Sequence, residues 1–338
     1  MTWLDHVRAD PLPWLLEWNT PAVRAATLQR LLDLPPDSPE VREARDAAMD
    51  TDPIKSILAA QNPAGWWESP GSGYGSAFTG TVWQLIILDQ LGADGRHPQI
   101  AAACDYVLTW TQASTGGFGA STAKTEEPPP PETVMHCLNG NLLRALIGFG
   151  HLDDERVQAS VDWAARTITG EGVDRWYPSG SSGPGFACGG NDGHPCAWGA
   201  IKELAAFARI PPPRRAPQLQ RAIDEGVRFL FSRDPVVADY PMGGGDTVPS
   251  RLWFKPGFPV LYAADVLQTL EVLAELGHAT DERLAPALRW LKAHQNQWGR
   301  WLNRAASNRK LVMDIERQGL PSKWVTLRAC TVLRAAYG

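Results

Sequence analysis

Two heptapeptides in opposite halves of the chain, Gln61-Asn-Pro-Ala-Gly-Trp-Trp67 and Gln295-Asn-Gln-Trp-Gly-Arg-Trp301, place Gln-Asn, Gly and Trp in the same order. The second follows a segment whose apolar residues Leu284, Leu288 and Leu291 recur at helical spacing. A more continuously apolar segment comes after each heptapeptide. A helix, a Gly- and Trp-containing loop and a second helix therefore form a unit that recurs along the chain, and such recurrence takes precedence over single motifs.

Each unit ends in an apolar residue followed by Gly or Pro. These endings are Leu91-Gly92, Phe149-Gly150, Ile210-Pro211 and Leu276-Gly277, roughly 60 residues apart. The first helix of a unit is amphipathic, whereas the second is apolar on most faces, as from Val82 to Leu88. The second helix is therefore predicted to lie buried inside the first.

We predict an all-α protein that forms an α/α toroid of about six helical hairpins, with inner and outer helix rings around a central cavity. An open α-solenoid is the alternative, but its repeats are shorter, about 40 residues, and lack long loops between paired helices. The chain is predicted to be one domain, 1–338. Its units are an incomplete first hairpin at 1–35 and repeats at 36–92, 93–150, 151–210, 211–277 and 278–338.

The composition excludes several classes of partner. The net charge of −5 gives no reason to expect a nucleic acid or an anionic membrane as a partner. Apolar runs such as Leu85 to Leu88 are too short to span a bilayer, and the start of the sequence lacks the features of a signal peptide, which predicts a cytoplasmic protein. The 15 Trp residues are unusual and suit both helix packing and pockets for apolar ligands. The sequence does not indicate an oligomeric state.

Cysteine and histidine cluster at the starts of two consecutive inner helices, in Cys188-Gly-Gly-Asn-Asp-Gly-His194-Pro-Cys196 and at His136-Cys137. In a toroid these starts are neighbours. Zinc binds Cys sulfur and His nitrogen, so Cys137, Cys188, His194 and Cys196 are a candidate Zn²⁺ site. Free thiols in the core and a Cys188–Cys196 disulfide are the alternatives. A zinc site here could be structural or catalytic.

Three residues are candidate acids or bases. Asp192 and His136 stand beside the candidate zinc ligands. Asp265 stands within an apolar inner helix, where a carboxylate is costly unless it is paired, and Lys202 is a plausible partner. Asp265 is either the member of a structural ion pair or a general acid or base with a raised pKa.

Residues that open the inner helices are predicted to line the mouth of the cavity and bind substrate. They are Trp83, Asn141, Trp198, Tyr262 and Trp324. Lys323, next to the last of these, belongs to a charged segment. That segment either binds an anionic group such as phosphate or forms an ion-pair network that closes the ring.

The Gln–Trp heptapeptides and the period of the paired helices resemble the terpene cyclase and protein prenyltransferase superfamily, over nearly the whole chain. The phrases Gly80-Thr-Val-Trp-Gln84, Gly140-Asn141 and Pro321-Ser-Lys-Trp-Val-Thr-Leu-Arg328 resemble a squalene-cyclase-like bacterial branch whose activity is uncharacterised. The resemblance implies the toroid fold and an apolar or prenyl substrate.

The chain also departs from that superfamily. The Asp-x-Asp-Asp motif with which class II terpene cyclases protonate their substrates is absent from the sequence. Squalene-type cyclases have a second helical domain, and protein prenyltransferases use a partner subunit and a different zinc-ligand spacing. We therefore expect a zinc-dependent enzyme that acts on an apolar small molecule in the cavity, by ester or phosphoester hydrolysis or a related transfer. The alternatives are a prenyl- or terpenoid-processing enzyme and a non-catalytic binding protein with structural zinc.

Overall fold

The computed structural model describes residues 2–75, 78–121, 123–171, 182–245 and 248–338. In these ranges the chain is helical, with short 3₁₀ turns and isolated β-bridges in the loops. A four-residue helix, α1 (Leu12–Leu15), precedes the first inner helix. The inner helices are α2 (Pro21–Arg30), α5 (Thr81–Gln90), α7 (His136–Gly148), α9 (Ala197–Ala208), α11 (Val266–Glu275) and α13 (Lys323–Tyr337). The outer helices are α3 (Pro39–Met49), α4 (Ile54–Ala59), α6 (Pro98–Trp110), α8 (Glu155–Thr169), α10 (Pro217–Leu230) and α12 (Ala285–Ala293).

The helix contacts run around a ring. Along the inner ring α5 contacts α7, α7 contacts α9, α9 contacts α11, α11 contacts α13, and α13 returns to α2. Outer helices α8 and α10 contact each other and the inner helices α7 and α9 respectively. The predicted all-α toroid is confirmed. Among the described residues, none of the helices combines the length and the apolar character that crossing a membrane requires.

The inner helices are buried on most faces because they pack against both the outer ring and the axis. In α5 every residue from Thr81 to Leu88 is buried. The most extensive contact between described helices joins α7 to α9. Within it, a Cβ on Gly140 would lie 2.3 Å from the carbonyl carbon of Lys202. Glycine therefore permits the two helices to approach each other at this point.

The axis of the toroid holds a segment of the protein's own chain, residues 257–263, which we call the septum. Gln90 on α5 forms two hydrogen bonds with the backbone of Val260, at 2.7 and 2.8 Å. Asn141 on α7 donates to the Leu261 carbonyl at 3.1 Å. The segment divides the predicted central cavity, because the Gln90 and Asn141 side chains bind its backbone.

Cavities lie on both sides of the septum. At the rim where the inner helices begin, the long loops enclose two cavities, of about 160 and 340 Å³. At the opposite rim a cleft of about 900 Å³ separates α2 and α3 from the end of α5. The loop rim carries Cys188 and Cys196.

Candidate functional site

An aromatic pocket of about 160 Å³ lies between the loops that precede α9 and α11. Trp198, Tyr240, Trp253 and Tyr262 line it. The Tyr240 hydroxyl donates to the Leu230 carbonyl at 2.6 Å, and the Trp253 indole N–H donates to a backbone carbonyl at 2.8 Å. Two of the four rings thus have their polar atoms satisfied within the protein, which leaves the pocket suited to an apolar ligand.

Cys188 and Cys196 also line the aromatic pocket. A short antiparallel bridge holds them, because the Cys188 N–H donates to the His194 carbonyl at 3.1 Å and the Cys196 N–H donates to the Phe186 carbonyl at 2.9 Å. Cys196 is also the N-cap of α9, where its sulfur accepts from the Gly199 N–H at 3.5 Å. The two sulfurs are fixed next to each other on the pocket wall.

The three clustered cysteines differ in acidity. Hydrogen bonding from the Cys196 thiol, with help from the backbone N–H groups of Gly190 and Asn191, lowers the pKa of Cys188 to about 6. The same contact and burial raise the pKa of Cys196. Burial raises the pKa of Cys137 to about 11. Cys188 is therefore the most acidic of the three thiols.

The predicted zinc ligands are not all brought together. Cys137 lies close enough to Cys188 for that thiol to contribute to the raised pKa of Cys137, but the His194 side chain is exposed. Among the residues that the structure describes, no group of three or more His, Cys, Asp and Glu side chains is placed to hold a metal ion. The arrangement does not fit the predicted four-ligand set, so we derive no chemistry from a metal, and zinc stays a prediction.

His136 is buried between α7 and α9. Its Nδ1 lies 3.1 Å from Glu203 Oε1 and its Nε2 lies 3.3 Å from the Gly183 carbonyl oxygen. Asn139 also donates to the Glu203 carboxylate, at 3.2 and 3.3 Å. Burial raises the pKa of Glu203. Both ring nitrogens are engaged within the fold, so His136 joins two inner helices and does not line the aromatic pocket.

Asp192 is exposed and joins two loops. It occupies a left-handed turn at φ 51°, and its Oδ2 accepts from the Gly244 N–H at 2.7 Å. It does not line the aromatic pocket. Its contact orders the loop that carries Cys188 against the loop that precedes α11.

Asp265 is the N-cap of α11 and does not interrupt that helix. It accepts from the Gln268 N–H at 2.8 Å and lies 4.0 Å from the Arg328 guanidinium. Burial raises its pKa. The expected partner, Lys202, donates instead to Gln268 Oε1 at 2.8 Å and to the Ala263 carbonyl at 3.3 Å. The contacts favour the structural role that the sequence left open for Asp265.

The predicted substrate-binding residues divide into three groups. Trp198 and Tyr262 meet edge to face at 5.5 Å in the aromatic pocket. Asn141 and Trp324 support the septum, the latter by stacking on a septum phenylalanine at 4.6 Å. Trp83 is buried beneath the loop rim, with its indole N–H on a backbone carbonyl at 3.0 Å. Only the first group faces the pocket.

Lys323 closes the ring. Its ammonium group donates to Glu17 at 2.8 Å, to Asn19 at 3.2 Å and to Thr20 at 2.8 Å. These three residues stand just before α2, so Lys323 joins the last helix to the start of the chain. This contact favours the ring-closing network over the binding of an anionic substrate.

A second rim cavity, of about 340 Å³, adjoins the aromatic pocket through Tyr262, which lines both. Lys255, Arg304 and Lys310 line this basic cavity above an apolar floor that includes Leu261. The sequence gives no periodic signal for these cations, nor for Tyr240 and Trp253 in the aromatic pocket. They lie in long loops without periodicity, where only the local density of aromatic and basic residues could have pointed to them.

Comparison with known proteins yields structural matches only. No family model matches the chain, and no curated protein does. The chain is similar to the type II terpene cyclase MstE from Scytonema in complex with geranylgeranyl dihydroxybenzoate, at 16% identity and a TM-score of 0.45, over 94% of this chain and 86% of that chain. It is similar to cellobiose 2-epimerase from Spirochaeta thermophila, at 15% identity and a TM-score of 0.45, over 78% and 73%. It is also similar to a protein from Actinoplanes, at 16% identity and a TM-score of 0.41, over 93% and 88%. The resemblance of the sequence to the terpene cyclase and prenyltransferase superfamily is confirmed in one respect. A terpene cyclase is among the structures to which the chain is similar.

Proposed function

We propose that the protein is an enzyme that binds an apolar acyl compound in the aromatic pocket and transfers its acyl group to water through Cys188. The observation that carries this proposal is the placement of two adjacent thiols, Cys188 and Cys196, on the wall of a pocket lined by four aromatic rings. An apolar pocket with a few convergent reactive groups is the usual form of a small-molecule site.

The reaction follows from the two sulfurs. The Cys188 sulfur bonds to the acyl carbon and displaces the leaving group, which takes a proton from the Cys196 thiol. Water then attacks the acyl carbon and breaks its bond to the Cys188 sulfur, and one proton of that water goes to the Cys196 thiolate. The products are a carboxylic acid and the protonated leaving group, and both cysteines return to their starting state. The proposal keeps the hydrolysis that the sequence predicts and assigns it to the two thiols.

p-Nitrophenyl esters of increasing acyl length test this proposal. We expect a burst of p-nitrophenol close to one equivalent per chain and an acyl adduct on Cys188 in the mass spectrum. Cys188→Ser should abolish both, whereas Cys104→Ala, in the buried face of α6, should retain them. An undiminished rate in the Cys188→Ser variant would sink the proposal.

A prenyl- or terpenoid-processing activity is the second candidate. Lys255, Arg304 and Lys310 favour it, because they could hold the anionic end of an amphiphile whose apolar part passes Tyr262. Geranylgeranyl diphosphate should then raise the melting temperature of the protein, and geranylgeraniol should raise it less. Equal shifts for the diphosphate and the alcohol would contradict a role for these cations.

The zinc prediction has its own experiment. Metal analysis of protein purified without chelators should find about one zinc per chain if the four predicted ligands, Cys137, Cys188, His194 and Cys196, rearrange around an ion. Serine at Cys137 should then remove the metal. Metal-free protein that retains esterase activity would show that the thiols work without zinc.

A further inference from the structure

The septum is a single segment of chain that separates the two loop-rim cavities from the cavities toward the opposite rim. Val260 lines both the basic cavity on the loop rim and a small inner chamber, of about 30 Å³, below it. Pro259 and Leu261 line only the basic cavity, and Phe258 lines only the inner chamber. Val260 is therefore the point at which the two spaces come closest.

The space below the septum leads to the opposite rim. Arg30, Gln90 and Trp324 line both the inner chamber and the cleft of about 900 Å³ between α2, α3 and α5. The inner chamber is thus the end of a route from that rim. Without the septum the loop-rim cavities and the cleft would form one passage through the toroid.

The septum is a built part of the wall, because side chains from around the ring satisfy its backbone. Besides the Gln90 and Asn141 contacts, Arg328 on α13 donates to the Gly257 carbonyl at 2.9 Å. Lys202 on α9 donates to the Ala263 carbonyl at 3.3 Å. Four inner helices therefore hold one short segment, and buried polar groups satisfied in this way make a segment rigid.

Phe258 anchors the entry of the septum. Its backbone N–H donates to Asn303 Oδ1 at 3.3 Å, and its carbonyl accepts from Asn303 Nδ2 at 3.2 Å. Its ring stacks on Trp324 at 4.6 Å with an angle of 9° between the planes. The segment is thus fixed at both ends as well as at Val260.

We propose that the septum sets the maximum length of the ligand that the loop rim accepts, with Val260 as the specificity-determining residue. The inference rests on the proposed function in that an apolar ligand enters the aromatic pocket and extends past Tyr262. Its distal end then meets the floor formed by Pro259, Val260 and Leu261. Gln90 acts as a positioning residue, because it touches the septum and not the ligand.

A series of 1-alkanols, from butanol to dodecanol, measures this limit by titration calorimetry. In the wild type the affinity should rise about three- to fourfold for each added methylene while the chain enters apolar space, and then stop rising at one chain length. Val260→Ala should move that length upward by roughly two methylenes, since the removed methyl groups join the basic cavity to the inner chamber.

Two further variants make the result decisive. Val272→Ala is the matched control, because Val272 lines the inner chamber and not the basic cavity, so the limit should stay where the wild type has it. Gln90→Met releases both hydrogen bonds to Val260 and should also relax the limit, which keeps the test open if Val260→Ala folds poorly.

The outcomes separate the two proposals. If the alkanols bind and the limit is the same in the wild type, Val260→Ala and Gln90→Met, the septum does not set it and this inference is overturned. If no alkanol binds the wild type, the apolar-ligand function itself is overturned and the length limit goes with it. A shift in Val260→Ala without a shift in Val272→Ala supports the inference.

Discussion

Cys188 and Cys137 belong to one cluster, yet their surroundings lower the pKa of Cys188 and raise that of Cys137. Cys188 accepts hydrogen bonds from the Cys196 thiol and from backbone N–H groups, whereas Cys137 is enclosed at the start of α7. Hydrogen bonds to the charged form favour a thiolate, and burial disfavours it. Identical side chains thus acquire different reactivity from their positions.

Alkylation should report this difference. We expect the iodoacetamide reaction of Cys188 to rise with a midpoint near pH 6, the value to which its pKa is lowered, and that of Cys137 to rise only toward its raised pKa of about 11. Cys196→Ala should move the Cys188 midpoint upward, because it removes the thiol whose hydrogen bond is the largest cause of the lowered pKa. Peptide mapping after timed alkylation measures both rates, and a common midpoint would contradict the assignment.

The buried amine of Lys202 should make the free energy of unfolding depend on pH. Burial lowers its pKa to about 7, from 10.5 in an unfolded chain. Between these two values the native state binds fewer protons than the unfolded state, so the free energy of unfolding should rise with pH, by at most about 1.4 kcal/mol per pH unit. Below pH 7 both states are protonated and the penalty for the buried charge is complete.

Lys202→Met removes this titration. Urea unfolding at a series of pH values from 7 to 10 should show a flatter dependence in the variant, even though its absolute stability changes because Gln268 and the Ala263 carbonyl lose a donor. Parallel slopes in the two proteins would mean that Lys202 is charged in the native state at neutral pH.

The sequence located the cysteine cluster but not its neighbours. The placement of Cys137 and Cys196 at successive inner-helix starts follows from the repeat, and their closeness follows from the ring. Glu203, which binds His136, looks from the sequence like any acidic residue on a helix. Glu203 is buried because α7 packs closely against α9, and no local sequence pattern predicts that contact.

Among the described helices, α7 and α9 share the most extensive contact. It depends on Gly140, which allows the backbone of α7 to rest against the backbone of α9 at Lys202. The His136–Glu203 pair lies in the same interface. A change that separates these helices would therefore also disturb the start of α9, where Cys196 stands.

Gly140→Ala should lower the free energy of unfolding by about 1–3 kcal/mol, because its new methyl group would meet backbone that has no room to move. Gly226→Ala is the matched control. There the new Cβ would lie 2.8 Å from a methyl carbon of the Leu204 side chain, which can shift, and alanine favours a helix. Chemical denaturation of the two variants measures the difference, and equal losses would contradict the role assigned to the Gly140 contact.

Helix existence was easier to predict than helix ends. The apolar run after Val82 and the Gly endings identify the inner and outer helices correctly. Asp265 shows the difficulty, since an acidic residue before Val266-Leu267 is compatible with a helix that has already begun or with a cap. Only its hydrogen bond to the Gln268 N–H decides for the cap.

The first and last described helices of the ring, α2 and α13, contact each other and close it. Lys323 binds the segment before α2, and Arg334 on the same helix donates to the Arg30 carbonyl at 2.6 Å and pairs with Asp33. The Lys323 side chain is largely buried, whereas the Asp33 carboxylate is mostly exposed. The two contacts should therefore differ in their contribution to stability.

Lys323→Met should lower the free energy of unfolding by about 1–2 kcal/mol, because it removes a buried charged donor from Thr20 and Asn19. Arg334→Met should have a smaller effect, since exposed ion pairs contribute little. Thermal denaturation at low and high salt compares them. A larger loss for Arg334→Met would reverse the order that burial predicts.

The period of about 60 residues was sufficient to predict a closed ring, but the contents of the axis were beyond it. The septum has no regular secondary structure, and neither do the residues on either side of it. Its sequence therefore has no periodic pattern from which its position could be predicted. The main sequence feature that relates to the septum is the presence of two polar residues, Gln90 and Asn141, on apolar inner helices. From the sequence, Asn141 is predicted to bind substrate. A polar side chain on an inner helix can bind either a ligand or another segment of the same chain. Its position in the sequence is the same in both cases, so the sequence does not distinguish the two roles.

The septum also constrains the order in which the protein folds. Its partners Gln90, Asn141 and Arg328 are spread over most of the chain, so the last of them leaves the ribosome long after the first. Long-range contacts of this kind are slow to form. The final docking of the septum therefore belongs to the end of folding, and the Val260 amide should exchange its hydrogen only when the whole ring opens.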